Sequence, residues 1–302
     1  MRGGVDSEGR QYASADEMWR QEAGERAVSA GEGKSEEGAM EAEMGGKKRE
    51  WYDKGVKYWE GVEASVDGVL GGYGAVSSTD AAGSAAFLHE VYGAQLDAAR
   101  SQGRPLVALD CGAGIGRVTK EFLLHVFNEV DLVEPVRHFI DAARDHLASP
   151  PSSAASPAAS HRAVNFFCCP LQEFSPDAER YDVVWVQWCI GHLTDADLIA
   201  FLHRCLAGLR PGGIIVLKEN TCQKGFVLDK ADSSVTRSDA YFRDLFKQAN
   251  LQLLKSKVQR GFPSELFVVK MYALAAHPTA HGGVAGRTRQ RSKRPNQPAV
   301  IY

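Results

Sequence analysis

Residues 109–117 read LDCGAGIGR, an apolar strand end followed by glycines at 112, 114 and 116, with Asp110 before them and Arg117 after. Glycines spaced this way between a strand and a helix let a ligand approach the backbone closely, as nucleotide-type cofactors require. A dinucleotide fingerprint G-x-G-x-x-G starting at Gly112 would need glycine where Arg117 stands. Asp110 at the strand end repels a pyrophosphate, yet it can accept from a cationic amino group directly or through water. Arg117 can hold a carboxylate bidentately. The set therefore favours a zwitterionic, phosphate-free ligand over a dinucleotide; the alternative is a tight strand-to-helix turn decorated with charges.

S-adenosylmethionine has that character. Gly112 and Gly114 allow its close approach, and Glu134, 24 residues after Asp110, closes the next strand where an acid takes a ribose hydroxyl. Leu171 and Gln172 follow a third strand and can border an adenine, while Gln187 near the end of a fourth is placed beside a methyl donor. Taken singly, these last residues equally suit ordinary strand ends. No Cys or His spacing suggests a metal site, so none is expected.

The elements that must position these residues alternate. Apolar runs at 105–112, 129–135, 164–171, 181–190 and 213–220 predict strands. Helical spacing over 116–127, 136–147, 195–209 (ended by RPGG) and 239–249 predicts helices between and after them, and LQLLKSKVQ with LFVVKMYAL predicts a late antiparallel hairpin. Regular alternation implies an α/β fold with a mostly parallel sheet and helices on both faces. Ligands then bind at the carboxyl ends of the strands. Trp185 and Trp188 cannot both follow strand alternation, so one is expected to face a cleft.

Composition narrows the function classes. The 302 residues are 44% hydrophobic and 24% charged with a formal charge of −3, enough for a sizeable core and without global attraction for nucleic acid. No apolar run approaches the length of a membrane helix. Six cysteines without a C-x-x-C pair read as reduced thiols of an intracellular protein. Residues 1–50, rich in Gly, Glu, Ser, Ala and Lys, lack a secretory or transit signal and are expected to be disordered. The expected folded domain is 51–275, interrupted by a Pro/Ser/Ala loop at 148–160. The basic tail 276–302, with RTRQRSKR, suits a nuclear address, a nucleic-acid patch or a merely solvated tail.

From Tyr58 to Leu274 the chain resembles the alpha-N-terminal protein methyltransferases. The resemblance rests on YWEGVEASVDGVLGGYGAVSSTD (58–80), LDCGAGIGRVTK (109–120), FFCCPLQEF (166–174), VQWCIGHLTD (186–195), LRPGGIIVLKEN (209–220) and VLDKADSSVTR (227–237). It implies a seven-strand Rossmann-like methyltransferase fold with an N-terminal helical addition, S-adenosylmethionine as cofactor, and X-Pro-Lys protein N-termini as partners after initiator Met removal, in cytoplasm, nucleus or both. The family's bases fall on His192 and Asp232. An α-amine, with an ordinary pKa of about 7.7–8.0, needs only a modest base to become nucleophilic. By the same likeness Trp59 and Trp188 flank the first residue and the proline ring, Asn220 bonds a peptide carbonyl, Asp229 and Asp232 meet the lysine, and Ser234 adds a hydrogen bond. Tyr58, Leu70 and Gly71 match positions around the cofactor or channel. Phe267 stands where relatives are expected to carry tyrosine, which removes one hydroxyl contact. A small-molecule amine N-methyltransferase shares the cofactor half but has no need of LGGYG with an acidic D-x-x-D-S-S loop.

Overall fold

A computed structural model describes residues 3–25, 37–148 and 161–277, without the side chains of 37–44. The Pro/Ser/Ala loop from 149 and the basic tail from 278 lie outside the described residues. Seven strands form the main sheet: β3 (Val107–Cys111), β4 (Glu129–Val133), β5 (Arg162–Phe167), β6 (Tyr181–Gln187), β7 (Leu209–Thr221), β10 (Leu251–Val258) and β11 (Val268–Ala276). Their order is β10-β11-β7-β6-β3-β4-β5, with β3, β4, β5, β6 and β7 parallel and β11 antiparallel to both its neighbours. The seven-strand α/β expectation holds. The chain leaves β3 toward β4 on one side, and β6 lies on the other, so a crevice opens at the carboxyl end of β3.

Strand alternation splits the core in two. Val107, Leu109 and Cys111 join Val184, Val186, Ile215 and Leu217 on one face, and Leu106, Ala108, Val183, Trp185 and Val216 face the other. The latter face is covered by the long helix α4 (Ser77–Ser101), whose Phe87, Leu88, Tyr92, Leu96 and Ala99 form a buried stripe at helical spacing. The first face packs α7 (Asp195–Gly208) and α8 (Asp239–Gln248), capped by Thr194 and Ser238 respectively. Trp185 is a core residue, edge-on to Phe122. The helix expected over 116–127 is shorter: α5 (Arg117–Glu121) stops before Phe122 and yields to a 3-10 turn at Leu123–His125. The remaining crossover helix, α6 (Arg137–Ala148), follows β4. The helix expected over 195–209 ends at Gly208, just before RPGG, and β7 begins at Leu209 and runs through that stretch.

The largest departure is at the amino end, where disorder was expected over 1–50. Instead β1 (Gly4–Asp6), β2 (Gln11–Tyr12) and α1 (Ala15–Glu22) are formed, and α2 (Glu37–Glu60) begins well before residue 51. β1 adds in parallel to β8 (Phe226–Asp229), which pairs with β9 (Ser234–Arg237), giving a second sheet β2-β1-β8-β9. A polar average hid three anchors. Tyr12, Met18 and Trp19 are 2%, 0% and 3% exposed, and Trp19 meets Trp51 edge-on at 5.2 Å. A local signal was present too: Ser14 accepts from Glu17 N while the Glu17 carboxylate accepts from Ala13 N, close to a capping box.

Trp19→Ala is accordingly expected to cost about 3–5 kcal/mol, as for large aromatic truncations in a packed core. Denaturant unfolding measures it. A loss under about 1 kcal/mol would show that the segment is loosely held.

Candidate active site

The crevice beyond β3 is built by the glycine loop. Gly112, Gly114 and Gly116 all take left-handed backbone, with φ of 67°, 53° and 76°. At Gly112 a β-carbon would stand 2.3 Å from that of Cys189, so the loop and the segment after β6 can meet only over glycine. Gly112, Gly114, Arg117, Glu134, Leu171, Gln172 and Gln187 line one cavity together with Trp59, Trp188 and His192. The sequence-predicted cofactor residues converge there, with one exception.

That exception is Asp110. Its carboxyl is buried beneath the loop, accepts from the Thr119 hydroxyl at 2.6 Å and does not line the cavity. It secures α5 to β3 instead of meeting a ligand's amino group. Burial pushes it up to about 6, against the opposing Thr119 bond and Arg117 charge. Glu134 is also committed in part: Oε2 accepts from Gly114 N and Oε1 from Val136 N, both at 2.9 Å. A carboxylate keeps further lone pairs for a hydroxyl donor. Burial raises Glu134 to about 7 despite those two N–H donors.

Arg117 is held by a residue that sequence reading missed. Its Nη1 donates to Asp80 at 2.9 Å and to Ser77 at 3.1 Å, and its guanidinium lies over Trp188 at 5.6 Å. Asp80, 1% exposed on α4, also receives both bonds of the Gln187 amide and an ion pair from Lys218 at 2.5 Å. The Gln187 amide is thereby spent on Asp80 and on the Trp185 indole, which donates to its oxygen. Arg117 and Lys218 share the Asp80 carboxylate, and of the two Arg117 lines the cavity. A ligand carboxylate complements its guanidinium. The only sequence signal was Asp80 in SSTD, polar residues on what turns out to be a buried helical stripe.

A second cavity adjoins the first and shares Trp59, Val69, Leu70, Trp188 and His192 with it. Gly71, Glu219, Asn220, Asp232, Ser234 and Phe267 complete much of its wall. Tyr58 and Asp229 are not brought to either wall. Tyr58 is exposed and packs edge-on against Trp59, because helical geometry turns the side chains of adjacent residues to different sides. Asp229 is exposed, with Oδ1 accepting from Ala231 N.

His192 sits where the cavities meet. The Trp59 indole N–H donates to its Nε2 at 2.9 Å, so Nδ1 carries the proton and donates to the Ser233 carbonyl at 3.1 Å. Trp51 donates to the His192 carbonyl at 2.7 Å. Helix α2 comes this close because Gly55 has no side chain; a β-carbon there would be 3.3 Å from the Asp232 carbonyl. Trp188 and Ser233 hold left-handed backbone at φ of 52° and 54°, costly for a tryptophan. Those conformations turn the Trp188 ring into both cavities and bring the Ser233 carbonyl to His192. Asp232 has a buried Oδ1 without a hydrogen-bond partner. Burial raises its pKa, opposed by the Ser234 hydroxyl and His192 and assisted by Asp229.

The sequence pattern of a family described as AdoMet dependent proline di-methyltransferase matches residues 47–275. The Arabidopsis thaliana "Alpha N-terminal protein methyltransferase 1" is 52% identical over 99% of this chain and 98% of its own length. The chain belongs to the alpha-N-terminal protein methyltransferase family. The Xenopus tropicalis "N-terminal Xaa-Pro-Lys N-methyltransferase 1" is 45% identical over 78% of this chain and all of its own. A solved SAM-dependent methyltransferase from Leishmania major superposes with a TM-score of 0.73 at 35% identity, covering 90% of this chain and 96% of that one. The cofactor of this methyltransferase is S-adenosylmethionine, and the first cavity fits it: the Arg117 guanidinium for its carboxylate, an acid for its ribose and an apolar slot at Leu171.

Two outcomes follow from this geometry. Arg117→Ala is expected to weaken S-adenosylmethionine binding about ten- to a hundred-fold by calorimetry, since a charge-assisted contact is worth about 1.5–3 kcal/mol. Asp80 keeps Lys218 and Gln187, so the fold persists; unchanged affinity would remove Arg117 from the cofactor site. The pH prediction comes from Asp110, Glu134 and Glu219, which burial raises to about 6, 7 and 7. Between about pH 4.5 and 7 the folded state then holds protons that the unfolded state has released. Stability of the ligand-free protein should fall as pH rises through that window, and Glu134→Gln should flatten part of the slope in thermal melts. A melting temperature that climbs across it would contradict the assignment.

Proposed function

We propose that this methyltransferase acts on the free α-amine of X-Pro-Lys protein N-termini after removal of the initiator Met. The observation that carries the reading is the junction of the two cavities, where a buried, unpartnered Asp232 oxygen belongs to the same wall as His192, Trp59 and Trp188. Support comes also from the named activities of the relatives above. S-adenosylmethionine supplies an electrophilic methyl group, and the chain's own residues prepare the amine. Asp232 accepts a proton from the α-ammonium, aided by burial that raises its basicity. His192 is a second acceptor only after the Trp59 indole leaves Nε2, which couples its availability to substrate entry between Trp59 and Trp188. The two indoles form flat walls for the first residue and proline ring, and Asn220 is placed to bond a peptide carbonyl. Once the amine is neutral, its lone pair is free to receive the methyl group that S-adenosylmethionine would supply. Positioning provides most of the acceleration.

Mass spectrometry of N-terminal peptides, incubated with protein and cofactor, tests this directly. X-Pro-Lys peptides should gain methyl groups at the α-amine, and N-acetylated copies or free small amines should not. Asp232→Asn should lower kcat by roughly two orders of magnitude, as for a lost general base, with cofactor affinity retained. Equal rates for wild type and variant from pH 6 to 9 would take Asp232 out of the reaction.

A further inference from the structure

The acidic loop at 229–232 contains its own cation, Lys230, one residue from Asp229 and two from Asp232. A lysine that close can reach either carboxylate and cancel the charge a substrate lysine would meet. The structure turns it elsewhere. Lys230 Nζ lies 3.6 Å from Asp6 and 3.4 Å from Glu8. It lines a third cavity with Gln21, Glu22, Lys47, Glu50 and Lys54, and not the substrate cavity that Asp232 lines. The acids nearest it in charge, Glu22, Glu8 and Asp6, all belong to the amino-terminal segment, with Glu22 the strongest influence raising its pKa.

The backbone enforces this direction. Gly4, Val5 and Asp6 pair in parallel with Phe226, Val227 and Leu228, Ser7 N donates to the Leu228 carbonyl at 2.8 Å, and Lys230 N donates to the Ser7 hydroxyl at 3.2 Å. Asp6 is itself fixed, 4% exposed and accepting from Glu8 N, Arg10 N and the Tyr12 hydroxyl. The whole segment precedes residue 47, where the match to the family pattern begins.

We propose that the amino-terminal hairpin and helix α1 form a specificity-determining element: Asp6, Glu8 and Glu22 draw Lys230 away from the acidic loop and leave Asp232 and Asp229 free to attract a lysine at the third position of the substrate. This rests on the X-Pro-Lys reading. Exposed ion pairs contribute little to stability. Their effect here is on the field at the substrate lysine, where moving one unit charge through solvent-like dielectric over about 10 Å changes affinity by roughly two- to five-fold.

The test is steady-state kinetics of the full chain on two peptides that differ only in Lys or Gln at position three. Glu8→Gln with Glu22→Gln keeps the acceptor for Tyr12 and the turn at Asp6. This double variant should raise KM for the Lys peptide about two- to five-fold, with kcat and the Gln peptide unaffected, and the increase should vanish when Lys230→Met is added. An equal change for both peptides, persistence in the Lys230→Met background, or no change at all would overturn the inference. A wild type that prefers Lys over Gln while the double variant behaves identically refutes this inference alone. A wild type with no such preference refutes the X-Pro-Lys reading and the inference with it.

Discussion

The buried carboxylate of Asp80 is the interaction on which the cofactor half depends. It sits in the first turn of α4 and joins four elements: Arg117 from α5, Gln187 from β6, Lys218 from β7 and its own helix. Lys218, fully buried, also donates to the Asp80 carbonyl, Ser84 and Gln259. Two buried cations around one anion carry a desolvation cost that apolar packing would avoid. The cost is intelligible if the cluster exists to present an arginine at a fixed position beside the cavity. Burial lowers the pKa of Lys218, as expected where its single carboxylate must be shared.

The sequence was most informative where covalent geometry is the constraint. Glycines at 112, 114 and 116 mark left-handed positions that other residues resist, and apolar runs located five of the seven main strands within a few residues, the other two being the closing hairpin. What escaped depends on contacts distant along the chain. Asp110 at a strand end looks the same whether it meets ligand or Thr119, and Asp80 is recognisable as a counterion only once α4 lies across β6 and β7. The amino-terminal segment escaped because its composition is polar on average, while its stability comes from Tyr12, Met18 and Trp19 docking on residues some two hundred positions away or on Trp51. Motif likeness had the complementary weakness: it named Tyr58 and Asp229 along with true wall residues, without regard to which side of the backbone each faces.

Strain and hydrogen bonding cooperate at the junction. Trp188 and Ser233 adopt left-handed backbone on opposite sides of His192, and each places a group that a relaxed conformation would withdraw. Trp51, docked against Trp19, fixes the His192 carbonyl, while Arg237 bonds the carbonyls of Ile190 and Leu193 on either side. The imidazole is thus positioned by both backbone flanks as well as by its ring nitrogens. The ring is held in place before substrate arrives, so that only the Trp59 indole has to leave Nε2 for the proposed second acceptor to be exposed.

Charge is segregated along the line that joins the two cavities. The Arg117 guanidinium lies at the cofactor end, and Asp232 and Glu219 line the second cavity. A peptide arriving as an ammonium is attracted by these carboxyls and would be opposed by the positive charge that S-adenosylmethionine brings. Carboxyls whose pKa burial has raised suit such an encounter better than unshifted ones would, because they hold a proton more readily. The same burial that makes these groups costly to the fold therefore makes them suitable as acceptors. Acidity at the surface of the neighbouring loop, kept clear of its own lysine, does the separate work of long-range attraction.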